Sequence, residues 1–156
     1  METRALNEEQ LGQAKELFKG FNIHQICEII FGLWRRLDVS IYADTKYDDE
    51  QMYQMRLGLE RRLDVSVYAN PKYNRCQMRV IRDGLEAGLD VTVYADPKLK
   101  YGQMVQIYLG LKAGVDVSSY ADPKNGQHQM RKIRKQLEAN EARRSGDEED
   151  VCDCLR

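Results

Sequence analysis

The feature that most constrains this chain is a ten-residue run that returns at fixed spacing. Leu37-Asp38-Val39-Ser40-Ile41-Tyr42-Ala43-Asp44-Thr45-Lys46 recurs as Leu63 to Lys72, Leu89 to Lys98 and Val115 to Lys124, each 26 residues after the last with no insertion or deletion. A fixed period of this length marks an array of similar structural units, none of which can bury its apolar face alone. The 156 residues are enough for one such array with a real core.

The segments between the runs read as amphipathic helices. Phe21-Asn22 before Gln25-Ile26, Tyr47-Asp48 before Gln51-Met52, and Tyr73-Asn74 before Gln77-Met78 each combine an apolar residue, an N-cap, a Gln at the third helical position and an apolar residue at the fourth. That is the capping box with a hydrophobic staple. Lys100 and Gly126 hold the cap position in the last two units, and Lys100 is a poor cap. Apolar stripes follow at spacings of three and four: Ile26, Ile29, Leu33 and Leu37, then Met52, Met55, Leu59 and Leu63, with equivalents to Leu137. Gly32, Gly58, Gly84 and Gly110 interrupt these helices, where each glycine costs about 1 kcal/mol against alanine. A recurrent cost of that size implies close approach of a neighbouring helix or of the short connecting segment.

Gly88 and Gly114 are helix stops. Asp38, Asp64, Asp90 and Asp116 can cap a short second helix that turns Val and Tyr inward, and the Pro-Lys dipeptide closes the unit. The reading is all-α: a helical-repeat solenoid with a long helix of about 13 residues and a short helix per unit. An N-terminal capping helix occupies 1–24, with its helical part beginning after Asn7, and Gly20 ends it. Five repeats occupy 25–139, the last incomplete because Gln136 replaces the glycine and the Asp-Val-Ser-x-Tyr run is missing. Residues 140–156 form a polar end and an acidic tail that lacks periodicity from Ser145 and is expected to be disordered.

Composition excludes more than it assigns. No apolar run approaches the length of a membrane span, and the N-terminus lacks the basic-then-apolar pattern of a leader, so a cytoplasmic location is expected. Net charge is −1, and residues 139–156 hold six acidic and three basic groups, which leaves +2 on the repeats. That balance does not by itself imply nucleic acid. The histidines, His24 and His128, fit no catalytic constellation, and no phosphate loop or zinc-protease motif is present. No enzyme activity and no cofactor are expected. Cys27, Cys76, Cys152 and Cys154 read as free thiols. Cys152 and Cys154 could offer two thiolates to a soft metal, but zinc normally takes four ligands, and no others are close in sequence.

The unit Gln-Met-x-x-Ile-Arg-x-Gly-Leu-Glu-x-Gly-Leu-Asp-Val-Ser-x-Tyr-Ala-Asp-Pro-Lys-Tyr resembles tandem repeats of uncharacterised proteins from Firmicutes phages and integrative elements. The resemblance covers residues 25–139. It departs at Ile26 for Met, Thr45 for Pro and Asn70 for Asp. It implies a mobile-element context in a bacterial host cell and no defined biochemical activity.

Two sets of residues are candidates for contact with a partner. One is Lys46, Lys72, Lys98 and Lys124, one per unit along an edge that could meet phosphates or an acidic protein, or that could simply be solvated beside Asp44, Asp96 and Asp122. The other is the set of helix positions that vary while the framework stays fixed. Cys27, Tyr53, Arg79, Val105 and Arg131 align, as do Ile30, Arg56, Arg82, Tyr108 and Arg134, and Trp34, Glu60, Glu86, Lys112 and Glu138. Tyr53, Arg56, Arg79, Arg82, Tyr108, Arg131 and Arg134 would form a basic, partly aromatic stripe of the kind found at protein interfaces. An ordinary charged helix face is the plainer alternative. The expected function is a non-enzymatic scaffold binding a protein partner, in a mobile-element setting an inhibitor of a host defence protein. Binding to a nucleic-acid backbone is the second possibility.

Overall fold

The computed structural model describes the backbone of residues 16–153 and the side chains of residues 16–144. Among these the chain is helical, with no strand. The long helices are α1 (Ile23–Trp34), α2 (Asp49–Glu60), α3 (Arg75–Glu86), α4 (Tyr101–Lys112) and α5 (Gln127–Asp153). Single 3₁₀ turns η1 (Val39–Ile41), η2 (Val65–Val67) and η3 (Val91–Val93) follow the first three; the equivalent after α4 is a plain turn at 118–120. Each long helix packs on the next in sequence, and η1, η2 and η3 pack back on the helices they follow. Glu16 and Leu17 are helical and Gly20 turns the chain at φ +88°. Phe18 and Lys19, expected in the helix, form a turn instead, and the part of the expected N-terminal helix before Glu16 lies outside the described residues.

The helix starts are as the sequence implies. The side-chain oxygens of Asn22, Asp48 and Asn74 accept the Gln25, Gln51 and Gln77 backbone N–H, and those glutamines accept the cap N–H in return. Lys100 has no oxygen to offer and makes no side-chain cap. The glutamines do more than cap. Their Nε2 atoms cross to the next unit and donate to the Tyr47, Tyr73 and Leu99 carbonyls at 2.6, 2.6 and 2.7 Å; Gln103 donates to Asn125 O at 2.7 Å. These four amides are buried, and with both ends paired they cost little to bury.

The helix ends are Schellman turns. Leu37, Leu63, Leu89 and Val115 donate their N–H to the carbonyls of Gly32, Gly58, Gly84 and Gly110 at 2.9 to 3.1 Å. The residue just before each must take a left-handed backbone. Gly88 and Gly114 do so at φ +69° and +73°, but Arg36 and Arg62 occupy the same place at φ 60° and 59°. Side chains are strained there, by about 1–2 kcal/mol.

The internal glycines answer to the tyrosines. Tyr42, Tyr68, Tyr94 and Tyr120 are fully buried, and their hydroxyls donate to the Glu28, Gln54, Val80 and Gln106 carbonyls at 3.0, 3.3, 3.1 and 3.3 Å. Each carbonyl lies four residues before the glycine. A Cβ on Gly32, Gly58, Gly84 or Gly110 would stand 1.8–1.9 Å from the hydroxyl oxygen and 2.8–3.0 Å from a valine methyl. The connecting segment, not a neighbouring long helix, is therefore what demands glycine. Asp38, Asp64 and Asp90 cap that segment by accepting the N–H and hydroxyl of Ser40, Ser66 and Thr92. The tyrosines join Met52, Met55, Met78, Ile81, Met104, Ile107 and Met130 in one core that runs along the row of helices.

The last helix differs from expectation. Its backbone stays helical through 145–153, where an unstructured tail was expected, and 154–156 lie outside the described residues. Gln136 has replaced the internal glycine that seats a tyrosine, Asn140 stands at the position of Gly88 and Gly114, and nothing like Asp-Val-Ser-x-Tyr follows to pack the chain back on the helix. Glu138, Ala139, Glu141, Ala142, Arg143 and Arg144 are mostly good helix formers.

Two stability outcomes follow from this geometry. Gly58→Ala should destabilise by about 3 kcal/mol through overpacking against Tyr68. It should cost less in a Tyr68→Phe background, because the hydroxyl is the first atom struck; urea denaturation of the two pairs measures this. Arg62→Gly should stabilise by about 1 kcal/mol by relieving the left-handed backbone, read as a rise in Tm of a few degrees.

Candidate functional site

The sequence-based stripe separates into two kinds of residue. Arg56, Arg82 and Arg134 are turned into the seams between helices. Arg56 Nε donates to Glu28 Oε2 at 2.7 Å and its NH1 to Glu60 Oε1 at 2.5 Å, while its guanidinium lies 5.7 Å from the Phe31 ring and 5.2 Å from the Tyr53 ring. Arg82 NH1 donates to Gln54 Oε1 at 2.6 Å and NH2 to Asp83 Oδ1 at 2.9 Å. Arg134 Nε donates to Gln106 Oε1 at 3.2 Å, and NH1 bonds Glu138. Each partner on the preceding helix lies 28 residues back. At the remaining step Val80 replaces the polar acceptor and Tyr108 replaces the arginine, and the two line the same groove. Variation at this register is matched across neighbours: Glu28 with Arg56, Gln54 with Arg82, Val80 with Tyr108, Gln106 with Arg134. These positions hold units together, so the stripe as a whole is not a free basic surface. Charged or bidentate hydrogen bonds of this kind are worth about 1.5–3 kcal/mol each when buried.

Tyr53, Arg79 and Arg131 stay on the outer face and are exposed. Two grooves run between helices beside them. One of about 490 Å³ lies between α2 and α3, with Tyr53 and Leu57 on one wall, Arg79 and Glu86 on the other, and Arg82 in its lining. The second, about 190 Å³, lies between α3 and α4 and is bounded by Arg79, Val105, Tyr101 and Leu109. Arg79 and Asp83 belong to both, so the grooves meet on α3. Tyr101 is 44% exposed and completes the aromatic lining. It was absent from the sequence-based set, although its register varies from unit to unit as Ile23, Asp49, Arg75, Tyr101 and Gln127.

The electrostatics of this face are balanced. Arg79 lies 3.6 Å from Asp83, and Arg61 reaches from α2 to Glu86 on α3 at 2.5 Å. Arg75 of α3 pairs with Glu50 of α2. The buried Nε of Arg82 has no acceptor, and an unpaired buried donor costs about 1–3 kcal/mol.

The lysine edge is a row of Asx turns. The N–H of Lys46, Lys72, Lys98 and Lys124 donates to the side-chain oxygen of Asp44, Asn70, Asp96 and Asp122 at 2.8–3.0 Å. Lys46 Nζ also pairs with Asp44 Oδ2 at 2.9 Å, and that hydrogen bond holds the Asp44 carboxyl below its usual range. The other three lysine side chains are exposed. Carboxylates stand beside three of the four lysines, so the edge is nearly neutral.

The tyrosine ladder is core and offers no stacking platform. Burial pushes the Tyr42 and Tyr120 hydroxyls up to about 12, and Tyr68 and Tyr94 higher still. Cys27 is exposed and Cys76 partly so, and both are free; the side chains of Cys152 and Cys154 lie outside the described residues. Among the described residues no group of three or more His, Cys, Asp or Glu could hold a metal ion, and no helix is long and apolar enough to cross a membrane.

No protein-family model, curated protein or solved structure matches the chain.

The raised tyrosines have a consequence at high pH. An unfolded tyrosine loses its proton near pH 10, while the buried ring keeps it. Above pH 10 the unfolded state therefore binds fewer protons and stability falls as pH rises. Tm should hold to about pH 9.5 and drop steadily between pH 10 and 12, with phenolate absorbance from the core rings appearing as helical circular dichroism is lost.

Proposed function

We propose that this chain is a helical-repeat solenoid that acts as a non-enzymatic scaffold, binding a protein partner across the grooves on the outer face of α2, α3 and α4. The carrying observation is the division of labour among its residues. Those that recur, apart from the exposed lysine side chains, are consumed by the fold. Exposed Tyr53, Arg79 and Tyr101 recur nowhere at their registers except for the arginine at 131, and they stand around two adjoining grooves. Aromatic and arginine side chains beside a partly apolar groove suit a protein surface.

Self-neutralisation argues against the nucleic-acid alternative. A phosphate-binding face presents uncompensated cations, whereas Arg61, Arg75, Arg79 and Lys46 already have carboxylates beside them. The resemblance to phage and integrative-element repeats extends the proposal to a mobile-element protein that occupies and inhibits a host defence protein in the bacterial cytoplasm.

The test is affinity capture from a Firmicutes host with the wild-type chain and a Tyr53→Ala/Arg79→Ala/Tyr101→Ala variant, whose exposed substitutions leave the core intact. A stoichiometric protein complex that persists from ~50 to ~200 mM salt and weakens at least ~10-fold in the variant is expected. Equal capture by the variant, or recovery only of nucleic acid released by salt and lost on replacing Lys72, Lys98 and Lys124 with Glu, would overturn the reading.

A further inference from the structure

The first long helix carries a second apolar face where α2, α3 and α5 carry charge. Ile23, Cys27, Ile30 and Trp34 are spaced 4, 3 and 4 along α1, the spacing of a helix-pairing seam. Phe31 and Leu33 flank it. Ile23, Ile30, Phe31, Leu33 and Trp34 are 66, 50, 50, 53 and 75% exposed. In α2, α3 and α5 the same seam reads Asp49-Tyr53-Arg56-Glu60, Arg75-Arg79-Arg82-Glu86 and Gln127-Arg131-Arg134-Glu138, and in α4 it reads Tyr101-Val105-Tyr108-Lys112, set against α3. There it meets the preceding helix: Arg56 bonds Glu28, Arg75 bonds Glu50, and Glu86 bonds Arg61. The fold of a unit therefore accepts charge at these positions, and the hydrophobic set on α1 is not required by its own core. A contiguous patch of this kind is larger than scattered surface residues need to be.

We infer that this face of α1 is the contact between two copies of the chain, related by a two-fold axis. Three observations support a second copy as the occupant. First, an isologous contact must be complementary to itself. A seam whose own residues carry no formal charge meets that condition without the pairing of opposite charges that the Arg-Glu seams of α2, α3 and α5 would need. Second, head-to-tail addition is disfavoured at the other end of the row. There α5 presents Gln129, Lys132, Lys135 and Gln136 to solvent, and burying those lysines against Ile30 and Trp34 would leave them unpaired. Third, half-to-three-quarter exposed Trp34, Ile23, Ile30 and Leu33, with the part of Phe31 not facing Arg56, offer on the order of 400–600 Å², the size of a weak contact that forms and dissociates with concentration. The contact is separate from the grooves of α2–α4, so either proposal can fail alone.

Sedimentation equilibrium of the full chain, in a series reaching ~100 µM, should show a dimer that dissociates on dilution. Ile30→Arg/Trp34→Glu gives α1 the pair that α2 and α5 already carry at 56/60 and 134/138. It should yield a monomer at every concentration with helical content and Tm close to wild type. Trp34 is the only tryptophan, so in the wild type its emission should shift to the blue as dimer forms. A dimer that survives the double substitution overturns the proposal. So does a wild type that is monomeric throughout: with water-exposed Trp34 emission the face is simply open, and with shielded, concentration-independent emission the preceding residues of the same chain are the occupant.

Discussion

A tyrosine hydroxyl reaching a helix carbonyl is the contact on which each unit of this protein depends. Tyr42, Tyr68, Tyr94 and Tyr120 come from the short segment after a long helix and bond back to the carbonyl fourteen residues earlier. The hydroxyl can approach only where the helix has no Cβ. The glycine weakens the isolated helix by about 1 kcal/mol, and the fixed angle between helix and segment is what that cost secures. A hydrogen bond in the core also allows the tyrosine to be fully buried without leaving a polar atom unpaired.

Contacts between units are of a second kind. One glutamine per unit closes its own helix cap with its oxygen and crosses to the next unit with its nitrogen. Propagation along the chain is thus built into helix initiation. At the end of the row Gln129 is exposed, and among the described residues α5 continues in place of a turn and a further helix. There the glycine and the tyrosine are both gone, and α5 runs on because nothing turns it.

The second seam between helices shows how variation can mislead. Arginine, tyrosine and isoleucine at one register look like residues free to change for a partner. In place, they change to suit the neighbour 28 residues back: an arginine where it is Glu or Gln, a tyrosine where it is Val. What remains for recognition is narrower, chiefly Tyr53, Arg79 and Tyr101 at two grooves, together with the apolar face of α1. The cations there are already matched by Asp83, Glu86 and Glu50, which favours a mixed protein surface over a phosphate backbone.

The sequence by itself determined the helical class, the 26-residue unit, the caps, the glycine stops at 88 and 114 and the inward tyrosines. Each of these is local, set by residues within a turn or two of chain and by a period that leaves no freedom of register. It also signalled that the internal glycines mark a close approach. Only the tertiary structure decided what approaches them, because Gly58 and Tyr68 are ten residues apart and meet through a turn whose direction depends on packing. The same holds for the arginines. Arg82 and Arg79 are three residues apart on one helix, yet one is buried in a seam and the other is exposed. Which of the two faces solvent depends on the helices beside α3, and periodicity within one helix cannot distinguish a polar face turned to water from a polar face turned to a matching neighbour.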